Sequence, residues 1–241
     1  DSLWVRPDPD REQRPVRAVA AEVSDEVGIE LEYEGEFDWI AFCPRKRASG
    51  SALMRYFGRW AEAGDDPYKL RGIEARQRTT SAFTAAVQRD LIAVFDRERA
   101  PKPVCTRLAR HLARLRRGAV PADDLVVTQR VSKRADEYSR ATRAKAALER
   151  AAALGVERRP GQSVEYVVVD DDASGRERVR LAFEDGEGYD LGDGEDYDPS
   201  LYADRLVRAC ESVLGPVGWD EGDIRQALAD TRDATLSSFG G

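Results

Sequence analysis

Arg71-Gly72-Ile73-Glu74-Ala75-Arg76-Gln77-Arg78 is the stretch on which this chain changes from one pattern to another. Before it, runs rich in aromatic and branched residues read as strands at Leu3–Val5, Ile29–Tyr33, Phe37–Phe42 and Arg55–Trp60, with Leu70–Arg76 as one more. A single helical stripe interrupts them: Val16, Val19, Ala20, Val23 and Val27. Beyond the stretch, Thr79–Ser81 supply N-cap candidates, and Phe83, Val87, Leu91, Val94 and Phe95 recur at helical spacing. Val104, Leu108, Leu112 and Leu115 make a second stripe, with Arg107, Arg110, Arg114 and Arg117 on its polar face.

Further on, Pro121–Asp124 reads as a turn and Leu125–Thr128 as a short strand. Ala144–Leu154 is an Ala-rich helix that Gly155 should end. Val164–Val169 is a strand, Asp185–Pro199 an acidic Gly-rich loop, and Ala203–Leu214 a strong helix. Asp223–Leu228 is a last helix, and the polar tail from Asp233 is expected to fray. The pattern predicts an α+β fold: an antiparallel sheet with a helix over 1–78, then a mainly helical unit with a small β element over 79–241.

At 241 residues and 41% hydrophobic content the chain can fill a core. No apolar run reaches membrane-spanning length and no signal-peptide pattern opens it, so a cytoplasmic protein is expected. Cys43, Cys105 and Cys210 lack CxxC spacing and read as reduced structural thiols. The formal net charge is -7, but it is distributed unevenly. Residues 1–40 carry 4 Lys+Arg against 12 Asp+Glu, residues 41–160 carry 27 against 13, and residues 161–241 carry 7 against 20. A basic middle between acidic ends suits a face that meets an anionic polymer. Of the 38 bases only five are lysines (Lys46, Lys69, Lys102, Lys133, Lys145). Arg for Lys with an acidic balance also fits a GC-rich genome or a salt-rich cytoplasm, so composition leaves the partner open.

Several segments could carry chemistry. Glu30-Leu31-Glu32-Tyr33-Glu34-Gly35 would place three carboxylates on one strand face, either solvated or sharing a cation. Arg45-Lys46-Arg47 and Arg55-Tyr56-Phe57-Gly58 form a basic and aromatic pair of segments, separated by Ala48–Met54. Thr128-Gln129-Arg130-Val131-Ser132-Lys133-Arg134 offers hydroxyl, amide and basic groups that can bond successive phosphates without reading bases. His111 sits at the edge of an apolar stripe, as a packed or capping residue would. Asp170-Asp171-Asp172 reads as a solvated strand end rather than a metal site.

Taken in order, Asp1-Ser2-Leu3-Trp4-Val5, Glu30–Gly35, Arg71–Arg78 and Arg158-Arg159-Pro160-Gly161 resemble the end of the palm and the thumb of an archaeal-type, haloarchaeal-like family B DNA polymerase. Asp1-Ser2 looks like the end of the family's YGDTDS hairpin motif, and Glu30–Gly35 like its ELEYEG strand. Arg45–Arg47 with Arg55-Tyr56 is similar to the KKRY segment, with Ala48–Met54 inserted. Arg71–Arg78 is similar to RGLEIVRRD, with Gln77 and Thr79 departing from it. Thr128–Arg134 with Tyr138 resembles the thumb stretch that grips the primer strand, and Arg158–Gly161 before Val164–Val169 the RPG-plus-strand that follows.

The resemblance implies palm sequence over 1–78 and a thumb over 79–241. It implies Asp1 as a catalytic ligand of Mg2+, and Lys46, Arg55, Tyr56, Arg76, Arg78, Gln129, Arg130, Ser132, Lys133 and Arg159 as contacts to primer–template DNA. The dNTP would bind only in the complete enzyme. Exonuclease, fingers and a second metal-binding aspartate would lie upstream, and the only methionine, Met54, does not open the chain. The chain is therefore expected to be a C-terminal fragment that does not polymerise alone. Two alternatives stay open: a non-catalytic DNA-binding module from an inactivated or split polymerase paralogue, and an acidic protein–protein adaptor.

Overall fold

The computed structural model describes residues 3–45, 50–62, 64–182 and 197–238. Asp1, Lys46 and most of the acidic stretch expected as a loop lie outside the described residues. Among the described residues the architecture is α+β: two three-stranded antiparallel sheets and six α-helices.

Helix α1 spans Val16–Val27, as its stripe predicts, and stops at Gly28, whose φ of 68° is the left-handed C-cap conformation. It buries none of its own residues. The next run, Ile29–Tyr33, is irregular rather than a strand. The Leu31 amide donates to Ser24 Oγ at 2.8 Å, so a helix side chain takes the hydrogen bond a neighbouring strand would have supplied. Tyr33 lies beneath Arg17, and Glu34 pairs with Lys69. Leu3–Val5 is not a strand either. Trp4 instead packs its ring on Phe37, Phe42 and Tyr56, while Leu3 and Val5 stay exposed.

The first sheet is the meander β1 (Phe37–Pro44), β2 (Ser51–Trp60) and β3 (Tyr68–Arg71). The expected strand Leu70–Arg76 is split. Gly72, at φ 66°, turns the chain out of β3, and Glu74–Arg76 form a 3-10 turn. A Cβ at residue 72 would lie 2.2 Å from the Met54 carbonyl oxygen. The close approach that glycine permits here is therefore to the backbone of β2.

Helix α2 (Ala82–Glu98) starts at Ser81, whose hydroxyl accepts from the Thr84 amide. It packs against α3 (Pro101–Arg116) and α5 (Pro199–Leu214), and α6 (Glu221–Ser238) closes over α3 and α5. The backbone of α6 stays helical to Ser238, through the tail expected to fray. The second sheet is β4 (Val127–Arg130), β5 (Ser163–Val168) and β6 (Val179–Leu181), backed by α4 (Arg143–Ala153). The three-residue β6 is too short for a period-2 signal, and the sequence reading missed it.

One apolar core runs from Phe57 and Ile73 through Leu91, Leu108 and Leu115 to Val167, Leu206 and Ile224. Each such side chain contributes about 1.5–3 kcal/mol relative to exposure. Tyr202 ties α5 to the second sheet: its hydroxyl donates to the Leu125 carbonyl at 2.9 Å and accepts from the Val168 amide at 3.1 Å. Burial raises the pKa of its phenol to about 12. Cys43, Cys105 and Cys210 are buried and unpaired. Among the described residues no helix is long and apolar enough to cross a membrane.

Candidate functional site

A cleft of about 790 Å³ opens between the 3-10 turn at Glu74–Arg76, helix α5 and the face of the second sheet. Gln77, Thr79 and Thr80 from the segment that links β3 to α2, with Thr84 from the first turn of α2, line one wall. Val127, Gln129 and Tyr166 form the sheet side, with Ser132 and Tyr138 beyond them. Thr142, Arg143 and Arg178 line a third side, and Arg205 and Arg208 project from α5. The lining is rich in hydroxyls, amides and guanidinium groups.

The β4–β5 ladder brings two of the sequence-predicted segments together. Arg130 is paired with Ser163, the Val131 amide donates to the Gln162 carbonyl at 2.8 Å, and the Gly161 amide returns to the Val131 carbonyl at 2.8 Å. Gly161, at φ 95°, makes the tight return possible. Thus Thr128–Lys133 and Arg158–Gly161, thirty residues apart in the chain with α4 between them, meet at one end of the β4–β5 ladder.

The expected contact residues fall into two groups. Arg76, Arg78, Arg130 and Lys133 are exposed and make no ion pair among the described residues. Each neighbours a cleft residue in sequence: Arg76 and Arg78 flank Gln77, Arg130 follows Gln129, and Lys133 follows Ser132. Ser132 Oγ lies 3.4 Å from the Tyr138 hydroxyl. Arg159 is exposed and 3.7 Å from Glu157.

Arg55 and Tyr56 are placed otherwise. The Arg55 guanidinium reaches Ser212 Oγ at 2.9 Å, the Gly72 carbonyl at 3.2 Å and Glu74 at 3.3 Å. Tyr56 is 1% exposed, enclosed by Trp4 and Phe42, and its hydroxyl has no hydrogen-bond partner.

Electrostatics centre on Asp171. Arg143 grips it in a two-point contact at 2.8 and 2.6 Å, and Arg178 adds a third at 2.6 Å. The Arg143 hydrogen bonds, with those of Arg178, hold this carboxyl below its ordinary pKa despite burial. Asp170 caps the following turn, accepting from the Asp172 and Ala173 amides. The acidic triplet therefore serves an ion-pair cluster and a turn. His111 has its Nε2 2.7 Å from Asp90 and its ring against Phe83, a packed residue at the edge of its stripe. Among the described residues no three His, Cys, Asp or Glu side chains gather to hold a metal ion.

The sequence reading missed Arg143, Arg178, Arg205 and Arg208. Arg205 and Arg208 stand one turn apart on α5, and that i,i+3 spacing is the signal the sequence carries for them.

Comparison with solved structures finds the family B DNA polymerase from the hyperthermophilic archaeon Pyrobaculum calidifontis at a TM-score of 0.55 and 17% identity. The match covers 87% of this chain and 26% of that one, so the chain spans about a quarter of that protein's length. At that identity the likeness carries the fold. No curated protein sequence matches the chain. A family model described as DNA polymerase family B matches residues 11–217. The chain thus belongs to DNA polymerase family B.

Proposed function

We propose that residues 1–78 are the end of the palm and residues 79–241 the thumb of a DNA-directed DNA polymerase, and that this part grips primer–template DNA for template-directed nucleotidyl transfer in replication. The observation that carries the reading is the set of unpaired, exposed cations Arg76, Arg78, Arg130 and Lys133 beside a cleft lined by Gln129 and Ser132. Such a surface suits phosphates: cations neutralise them, and short polar side chains bond them irrespective of sequence. Arg159 adds to the same end of the β4–β5 ladder. Arg55 acts from within by holding the turn at Glu74 that presents Arg76, and Tyr56 by packing within the first sheet.

The remainder of the enzyme would supply the dNTP site. A Mg2+ ion would take Asp1 as one ligand together with carboxylates from elsewhere in the protein, and would supply the charge stabilisation that phosphoryl chemistry needs. The exposed apolar residues Leu3, Val5, Val16, Val27 and Ile29 support a further polymerase segment covering this end. As part of such an enzyme, the protein would act in the cytoplasm of an archaeal cell.

Fluorescence anisotropy with a labelled primer–template across a salt series tests the proposal. The 241-residue chain should bind with an affinity that falls linearly on a log–log plot. Arg130→Ala and Lys133→Ala should each lower the slope by about 0.9. No primer extension is expected from the chain alone. Absence of salt-sensitive binding would sink the reading and favour a protein–protein adaptor.

A further inference from the structure

Four arginines line the cleft between α5 and the second sheet, and their counter-charges are too few. Arg143 and Arg178 share the single carboxylate of Asp171. Glu74, the acid lining the opposite wall, is already held by Arg55 and by the Gln88 amide. Arg205 and Arg208 have no carboxylate partner among the described residues.

Arg205 is the more telling of the two. It is half-buried, its guanidinium lies 5.2 Å from the centre of the Tyr202 ring, and its Nη1 is buried without a hydrogen-bond partner. Burial draws its pKa below the ordinary arginine value, since little nearby compensates the lost hydration. A buried donor left unsatisfied loses its hydration with nothing in return, and a charged one loses more. Folding tolerates such a cost where a ligand later satisfies the group. The planar fork of a guanidinium matches the oxygens of a phosphate, and the Thr79, Thr80 and Thr142 hydroxyls stand on the same lining.

We infer that this cleft is a phosphate-binding pocket in which Arg205 and Arg208 of α5 donate to the oxyanion. The ligand is a phosphate group, from a DNA backbone or free in solution. The backbone source rests on the polymerase reading above, whereas the pocket itself does not.

Wild type, Arg205→Gln, Arg208→Gln and Arg205→Lys are to be compared with two probes: labelled primer–template duplex across a salt series, and inorganic pyrophosphate followed by thermal melting. Pyrophosphate should raise the melting midpoint of wild type, much less that of Arg205→Gln, with Arg205→Lys intermediate. If the backbone is the source, Arg205→Gln should bind duplex about tenfold more weakly, with a salt slope lower by about 0.9, and pyrophosphate should compete with duplex. If duplex affinity is unchanged while pyrophosphate protection is lost, the pocket takes a free phosphate. Pyrophosphate protection in a wild type that binds no duplex would retain the pocket and defeat the DNA reading alone. Because Arg208 is exposed, Arg208→Gln remains informative if Arg205→Gln fails to fold. Wild-type duplex binding and slope in both Gln variants, with no pyrophosphate effect on wild type, would overturn the inference.

Discussion

The side-chain amide of Gln88, fully buried in α2, donates to the backbone carbonyl of Ala209 in α5 at 2.9 Å. The same nitrogen donates to Glu74 at 2.8 Å, and its oxygen accepts from the Ala75 amide at 2.7 Å. One side chain thereby fixes the 3-10 turn beside the cleft to two helices of the core. Gln88→Met keeps the volume but leaves the Ala75 donor and the Ala209 acceptor unpaired. It should lower the unfolding free energy by about 2–4 kcal/mol, measured by urea denaturation. A loss under 1 kcal/mol would mean that water replaces the amide.

Asp96 should make stability depend on pH. Its side chain is 7% exposed and accepts from Trp39 at 2.7 Å, from Tyr68 at 3.0 Å and from Arg59 at 3.0 Å, and Arg99 adds a contact at 2.8 Å. Burial alone would raise its pKa, but the Tyr68, Trp39 and Arg59 hydrogen bonds and the Arg59 charge together hold it below the ordinary aspartate value. A depressed carboxylate contributes stability that is present above the unfolded value and lost as pH falls through the lower folded value. Asp96→Asn should cost about 2–3 kcal/mol at pH 7, and its gap to wild type should narrow below pH 4. A constant gap from pH 7 to pH 3 would contradict this assignment.

Gly72→Ala should destabilise strongly. A left-handed backbone costs a non-glycine residue about 1–2 kcal/mol, and the new methyl would meet a backbone oxygen 2.2 Å away that cannot step aside without parting β2 from β3. A total loss of about 3 kcal/mol is expected by thermal denaturation. Gly64→Ala, with nothing within 4 Å of its Cβ, is the matched control and should change little.

Tyr56→Phe separates burial from DNA contact. The hydroxyl has no partner, so its removal should leave stability unchanged or improve it by up to about 1 kcal/mol. Duplex affinity should equal that of wild type. A tenfold weaker affinity at unchanged stability would show instead that the Trp4 segment moves aside and the hydroxyl meets DNA.

Among the elements, the helices were legible because a 3.6-residue apolar period survives any tertiary arrangement. Val16–Val27, the stripe from Phe83 to Phe95 and that from Val104 to Leu115 all lie in helices where the spacing puts them. Strands were legible only where a partner strand exists. Phe37–Phe42 found β2, whereas Leu3–Val5 and Ile29–Tyr33 have strand composition and no neighbour to complete their ladders. A period-2 pattern states what a segment could pair with, not that the pairing is available.

By itself the sequence determined the α+β class, the helix positions, the change of pattern near Arg78 and the kinship carried by motifs such as Arg71–Arg78 and Arg158–Gly161. Only the tertiary structure decided which cations are free. Arg55 and Arg130 are the same residue type within motifs of the same kind, yet one is bonded to Glu74, Gly72 and Ser212 while the other stands without an ion-pair partner at the end of the β4–β5 ladder. It also decided that Arg205 and Arg208 line one cleft with Arg143 and Arg178. Local periodicity is a property of neighbours along the chain, whereas the surplus of charge in a cleft depends on which distant carboxylates the fold brings within reach.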